Sequence, residues 1–184
     1  MNKFILSETF LIKGQIPLEV SSIDTEYLKK FILEHDLEFC VASKDTFHYD
    51  RDYYNLNFNR NIQWVYEYIR DHYRTKYHRT LINLDENYKA QIINKNKSID
   101  LHDHIDWYRL DYSPDISGIY VVSNKKPYNE IVFEFTDHRH LMKMYKIPLE
   151  PNTFILWNSS IKHRITENTN DEPTVNLSFK WQSK

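Results

Sequence analysis

Residues 116–136 read ISGIYVVSNKKPYNEIVFEFT, two apolar runs that are separated by a polar turn. Both runs are rich in β-branched and aromatic residues, and the segment between them contains asparagine, lysine and proline. This pattern is typical of neighbouring β-strands, because such side chains pack well on a pleated surface and proline interrupts strand pairing. The stretch therefore predicts strands at residues 116–123 and 130–136 with a turn over residues 123–127.

The same pattern of short strands continues on both sides of this stretch. Further strands are predicted, in chain order, at residues 88–94, 98–104, 141–147, 153–157, 163–165 and 174–181. About eight strands at this spacing, after two helices, are typical of a double-stranded β-helix, or jelly roll, with the helices packed on one outer face. We therefore predict a mainly β fold with two flanking helices.

The first half of the chain contains the two helices. A start signal at Asp24-Thr25-Glu26 precedes the first helix, and the second helix is predicted at residues 61–77. The second helix has an apolar stripe at helical spacing: Ile62, Val65, Tyr66, Ile69 and Tyr73. Short strands are predicted at residues 4–6, 10–12 and 39–42. With no repeat or linker, we expect a single domain over residues 1–184, with helical support at about 22–80 and a β core at about 88–181.

Composition restricts the environment and the partners. The net charge is −2 with scattered basic residues, so the sequence does not indicate a nucleic-acid groove. Cys40 is the only cysteine, which excludes an internal disulfide and favours a reducing compartment. No apolar run approaches the roughly 20 residues that span a bilayer, and the N-terminal apolar segment is too short for a secretory signal. We expect a cytoplasmic protein with no membrane partner.

Two segments contain the candidate site, one within a predicted strand and one that delivers a histidine just after an apolar strand. Residues 101–106 read LHDHID, and residues 154–163 read FILWNSSIKH. Alternate residues of a strand share a face, so His104 and Asp106 can reach one ion, to which His163 can add a third ligand from a distant strand. Two histidines and a carboxylate suit non-haem Fe(II). His102 shares the same face and is the alternative ligand; we favour Asp106 because a carboxylate adds charge neutralisation.

The order of these segments resembles that of a known family. His-x-Asp at 104–106 is followed by ISGIYVV at 116–122, EIVF at 130–133, DHR at 137–139, YKIPLEPNTFILW at 145–157 and HRI at 163–165. Over roughly residues 60–181 this order resembles the Fe(II)/2-oxoglutarate-dependent oxygenases, and most closely their short versions from phages and bacteria. The resemblance implies a dioxygenase that uses Fe(II), 2-oxoglutarate and O2 to hydroxylate a substrate that the sequence does not identify. If the chain is phage-encoded, its location is the host cytoplasm.

The chain departs from this family on the last strand. The family usually carries a basic residue about ten residues past the distal histidine, where it holds the far carboxylate of 2-oxoglutarate. Thr174 stands at that point, and it shares a face with Asn176 and Lys180. We predict that Thr174, Asn176 and Tyr120 contact the co-substrate. Three basic residues on other strands are open as substitutes for the missing charge: Arg139, Lys143 and Arg164.

The missing arginine favours an alternative from a different functional class. The chain would then be a degenerate, cupin-like jelly-roll binding protein, or a virion-associated protein, without oxygenase activity. A further alternative is a jelly-roll enzyme that uses zinc or manganese without O2. A homodimer through the N-terminal strands or helices is also left open.

Overall fold

Both predicted helices are present in the computed structural model, which describes residues 10–17, 23–35, 59–84, 89–105, 108–137 and 139–184. Helix α1 spans Thr25–His35, and helix α2 spans Arg60–Tyr77. The Asn59 side chain caps α2 because it accepts hydrogen bonds from the first backbone N–H groups of the helix. The apolar stripe predicted for α2 is buried at every position: Ile62, Val65, Tyr66, Ile69 and Tyr73. None of the helices in these ranges is long and apolar enough to cross a bilayer.

The described residues form ten β-strands and one short 3-10 helix, Leu110–Tyr112. The strands are β1 (Leu11–Gln15), β2 (Leu81–Asn83), β3 (Lys89–Ile93), β4 (Ile99–His102), β5 (Ile116–Ser123), β6 (Glu130–Thr136), β7 (Met142–Pro148), β8 (Thr153–Asn158), β9 (Lys162–Ile165) and β10 (Thr174–Ser183). The eight strands from β3 onward match the predicted ones to within three residues at each end. Strand β2 was not predicted, because three residues are too few to show an alternating pattern.

The strands pair into two antiparallel sheets that face one another. The larger sheet has the order β1-β8-β5-β10-β2, and β3 also pairs with β10. The smaller sheet has the order β4-β9-β6-β7. Successive strands from β3 to β10 alternate between the sheets, except that β6 and β7 form a hairpin within the smaller one. This is the predicted double-stranded β-helix.

The larger sheet buries both of its faces, which explains why its strands are apolar almost throughout. On β5, Ile119 and Val121 face the smaller sheet, whereas Tyr120 and Val122 pack in the core that includes α1 and α2. The helices therefore cover one outer face of the jelly roll, as predicted. Gly118 keeps β5 and β8 in close contact, because an added Cβ would lie 2.4 Å from a methyl group of Leu156.

Strand β4 ends two residues earlier than the sequence suggested. The predicted strand continued through His104, but the ladder ends at His102 and the backbone N–H of His104 donates to Ser159 O at 3.0 Å. The backbone N–H of His104 is therefore paired with the turn before β9 and not with a neighbouring strand. The strands predicted at residues 4–6 and 39–42 lie outside the described residues.

Candidate metal centre

Three histidines converge at one end of the jelly roll, between the two sheets. His102 and His163 are directly opposite each other in the β4–β9 pair, and their ring centroids are 4.3 Å apart. His104 follows the end of β4, and its ring centroid lies 5.1 Å from that of His102 and 4.9 Å from that of His163. One ligand nitrogen from each ring lies within 4.8 Å of the others. The structure thus brings together His104 and His163, as expected, and His102 with them.

Hydrogen bonds to backbone carbonyls determine the tautomers of two of these rings. His102 Nδ1 lies 2.8 Å from Asp100 O, and His163 Nδ1 lies 3.1 Å from Ile161 O. A carbonyl oxygen can only accept a hydrogen bond, so each Nδ1 carries the proton and each Nε2 presents a lone pair. Such a partner on the second nitrogen is the usual arrangement of a metal-binding histidine.

The third ring is held by a pair of buried hydroxyl groups. His104 Nδ1 lies 2.5 Å from Ser117 Oγ, which in turn lies 2.7 Å from Ser159 Oγ. A serine hydroxyl can donate or accept a hydrogen bond. Ser117 Oγ can therefore accept a hydrogen bond from a protonated Nδ1 of His104, which leaves a free lone pair on Nε2 of His104. All three rings can therefore present Nε2 to a common point.

The spacing of these nitrogens fits a shared cation. Nε2 of His102 lies 3.2 Å from Nε2 of His104. Two nitrogens bound to one metal at about 2.1 Å lie about 3.0 Å apart at a right angle and about 3.4 Å apart at the tetrahedral angle. The observed distance falls between these values. Imidazole nitrogen is a ligand for iron, zinc, copper and nickel, so the donor set fits a transition metal.

Burial keeps the three imidazoles neutral, which is the form that binds metals. Desolvation is the main cause in each case: it lowers the pKa of His163 to about 3 and the pKa of His104 well below its usual value, and it also lowers the pKa of His102. The positive charge of Lys180 adds to the lowering of the pKa of all three.

An apolar wall closes one side of the cluster. The Trp157 ring lies 4.7 Å from that of His163 in an edge-on arrangement, and the Phe133 ring lies 6.0 Å from it. Both aromatic residues are almost fully buried. This wall restricts water at one side of the histidines and explains why desolvation dominates their pKa values.

The carboxylate ligand predicted at Asp106 lies outside the described residues, so its role stays a prediction. Within the described ranges, the one group of histidine, cysteine and acidic side chains with metal-ligand spacing consists of the three histidines. The nearby carboxylate of Asp103 accepts a hydrogen bond from the backbone N–H of Ile105.

The three residues predicted to contact a co-substrate lie in different places. Tyr120 is on the helix-facing side of β5, where its hydroxyl donates to Asn152 Oδ1 at 2.9 Å, and burial raises its pKa. Thr174 begins β10 and donates to Asn124 and Asn129. It is six residues from Lys180, or roughly 20 Å along a strand. Neither residue is brought to the histidines.

Asn176, in contrast, belongs to a polar strip on the inner face of the larger sheet. It pairs with Gln91 across β3, and Lys180 pairs with Ser117 across β5. Paired residues share a face, so the side chains of this strip face the smaller sheet. The strip extends along β10 as far as Ser117, the serine that contacts His104. Both polar atoms of the Asn176 amide and Oε1 of Gln91 are buried without a hydrogen-bond partner in the described part of the chain. Buried polar atoms of this kind indicate a ligand or ordered water.

Lys180 was not among the predicted site residues, although its shared face with Asn176 was visible in the sequence. The alternation of β10 is the signal that points to it. Two of the proposed substitutes for the missing arginine have other partners: Arg164 pairs with Glu134 and Arg139 pairs with Asp137. Lys143 lies opposite Phe135 on the β6–β7 hairpin.

Comparison with known proteins establishes the fold. No protein-family model and no curated protein matches the sequence. Among solved structures, a prolyl-4-hydroxylase from Pseudomonas putida is similar with a TM-score of 0.58 and 7% identity, over 95% of this chain and 86% of that chain. The nickel complex of a non-heme monooxygenase, ThoJ, matches with a TM-score of 0.38 and 11% identity, over 56% of this chain and 44% of that chain. At 7% identity, the similarity to the hydroxylase is one of fold.

Proposed function

We propose that this chain is a mononuclear non-haem iron oxygenase that uses 2-oxoglutarate and O2 to hydroxylate an as yet unidentified substrate. The observation that supports this proposal most directly is the convergence of three neutral imidazoles, each able to present Nε2, at one end of a jelly roll. The order of sequence motifs and the similarity in fold to a prolyl-4-hydroxylase are consistent with it.

In this proposal, the metal is held by His102, His104 and His163. When bound, the iron would supply the oxidative chemistry. Backbone carbonyl groups orient the rings of His102 and His163. Ser117 orients the ring of His104 by accepting a hydrogen bond from its Nδ1–H group. Asp106 is the alternative third ligand and would replace His102.

The polar strip on the larger sheet is the proposed binding site for 2-oxoglutarate. The ammonium group of Lys180 supplies the positive charge for a carboxylate, and the unpartnered amide atoms of Asn176 and Gln91 supply hydrogen bonds further along the strip. A lysine at this place compensates for the threonine at position 174. Thr174 itself has partners in Asn124 and Asn129, so we assign it no contact with the co-substrate.

A second candidate function follows from the donor set. Three histidines are the ligand set of several catalytic zinc sites, and the cluster includes no carboxylate within the described ranges. The chain would then be a zinc-dependent jelly-roll protein without O2 chemistry.

The deciding experiment combines metal analysis with a co-substrate assay. The protein is purified without chelators and its metals are measured, and it is then loaded anaerobically with Fe(II) and 2-oxoglutarate. We expect a weak visible charge-transfer band and, after O2 is admitted, formation of succinate. His163→Ala should show neither. Copurified zinc, with no band and no succinate after iron loading, would support the second candidate and exclude the first.

A further inference from the structure

A cavity of about 500 Å3 lies next to the metal centre, on the helix side of the larger sheet. Its wall includes Ile105, which directly follows His104, and both Asn158 and Ser160, which flank Ser159. Ser117 contacts Nδ1 of His104, and Ser159 contacts Ser117. The cavity therefore adjoins the side of this ring that faces away from the convergent Nε2 atoms. A molecule in the cavity would therefore occupy a site separate from the open positions of a metal.

Two opposite charges line the cavity without neutralising each other. Arg79 is exposed and forms no ion pair or side-chain hydrogen bond with any residue of the described ranges. Asp115 Oδ2 accepts the backbone N–H of Ser183 at 2.9 Å, and Asp115 forms no ion pair within the same ranges. A guanidinium and a carboxylate thus face one cavity, each available to a charged group of opposite sign.

The remaining surface of the cavity suits an apolar body with polar ends. The rings of Phe10 and Tyr73 line it together, with centroids 6.3 Å apart, and the buried Ile116 lies beside them. Ser183 also lines it, and its Oγ is buried without a hydrogen-bond partner among the residues that the structure describes. The volume is within the usual range for small-molecule sites.

We infer that this cavity binds a small zwitterion of the amino-acid type. Its carboxylate would bind Arg79, its ammonium group would bind Asp115, and its apolar side chain would contact Phe10 and Tyr73. The inference does not depend on the proposed oxygenase activity, because none of these residues belongs to the metal centre or to the polar strip.

The test is calorimetric titration of the purified protein with three ligands of the same shape. L-Phenylalanine carries both charges, phenethylamine lacks the carboxylate, and 3-phenylpropionate lacks the ammonium group. We expect phenylalanine to bind at least about tenfold more tightly than either analogue, because each lost charge removes a charge-assisted hydrogen bond. L-Leucine and L-alanine are titrated as well, to cover smaller side chains.

Two variants assign the charges separately. In Arg79→Gln, phenylalanine and phenethylamine should bind equally; in Asp115→Asn, phenylalanine and 3-phenylpropionate should bind equally. Arg70→Gln, which removes an exposed arginine of α2 outside the cavity, should leave all affinities unchanged. Equal binding of the three ligands to the unmodified protein, an unchanged ranking in both variants, or no binding of any of the three amino acids would overturn the inference.

Amino acids also chelate metals, so the titration is repeated with His163→Ala. Binding in the cavity should be unchanged in this variant. Loss of binding would assign the amino acid to the metal centre and would refute the cavity site. Failure of the succinate assay, in contrast, would leave the cavity inference standing.

Discussion

Lowering the pH should destabilise the metal-free protein through its buried histidines, and His163 provides the test. Its pKa is lowered from 6.5 to about 3, first by desolvation and then by the neighbouring His102. In the unfolded chain the same imidazole is exposed to water and titrates at its ordinary value. Between these two pKa values the unfolded state therefore binds more protons than the folded state, so stability falls as the pH falls.

The size of the effect follows from the pKa difference. The contribution of His163 is fully present above pH 6.5 and is lost progressively as the pH falls toward about 3. The cost approaches about 1.4 kcal/mol for each pH unit in this window, but the unfolded imidazole is only half protonated at pH 6.5. A change from pH 6.5 to 4.5 should therefore cost about 2 kcal/mol of unfolding free energy. His102 and His104 act in the same direction because burial lowers their pKa values too.

The assay is urea unfolding of chelator-treated protein at several pH values, for the unmodified chain and for His163→Gln. Glutamine does not titrate, and the carboxylates of the chain contribute equally to both proteins. The difference in unfolding free energy between the two proteins should therefore change by about 2 kcal/mol from pH 6.5 to 4.5. Parallel pH profiles would show that His163 is not held neutral in the fold, and the account of the metal centre would then fail.

Three further predictions concern the candidate metal centre and the proposed co-substrate. His102→Ala should lose bound metal, whereas Asp106→Ala should retain it; the reverse result, by metal analysis after dialysis, would favour the carboxylate as ligand. Ser117→Ala should weaken metal affinity about 10- to 100-fold through loss of the His104 partner, measured by competition with a chelator, and an unchanged affinity would contradict that role. Lys180→Gln should raise the KM for 2-oxoglutarate about tenfold or more, Lys180→Arg should restore binding, and Thr174→Val should leave the KM unchanged. Equal effects of substitution at positions 180 and 174 in the succinate assay would argue against a role of Lys180 in co-substrate binding.

Local sequence patterns predicted most of the β core. Strands β5 and β6 have the predicted bounds, because alternating or continuous apolar runs bounded by asparagine and proline leave few other conformations. The buried stripe of α2 was equally visible, since helical periodicity extends over its whole length. The end of β4 was placed wrongly because the backbone N–H of His104 donates to the carbonyl oxygen of Ser159, more than fifty residues away, and this hydrogen bond replaces the ladder.

The candidate site was predictable only in part. His104 and His163 stood out by residue type and by their place at strand ends. The predicted contacts of Tyr120 and Thr174 relied on resemblance, and the folded chain gives both side chains other partners. The sequence signal for Lys180 was the face that it shares with Asn176 on β10. Gln91 carried no such signal, because a glutamine in a strand is ordinarily exposed.

By itself, the sequence determined that this chain forms short apolar strands after two amphipathic helices and that imidazoles stand at the ends of two of those strands. Only the tertiary structure decided that His102 lies opposite His163, and that Asn176 and Lys180 face the interior. The physical reason is that register between strands distant in sequence depends on backbone pairing across the sheets. A shift of one residue would turn each of these side chains to the other face.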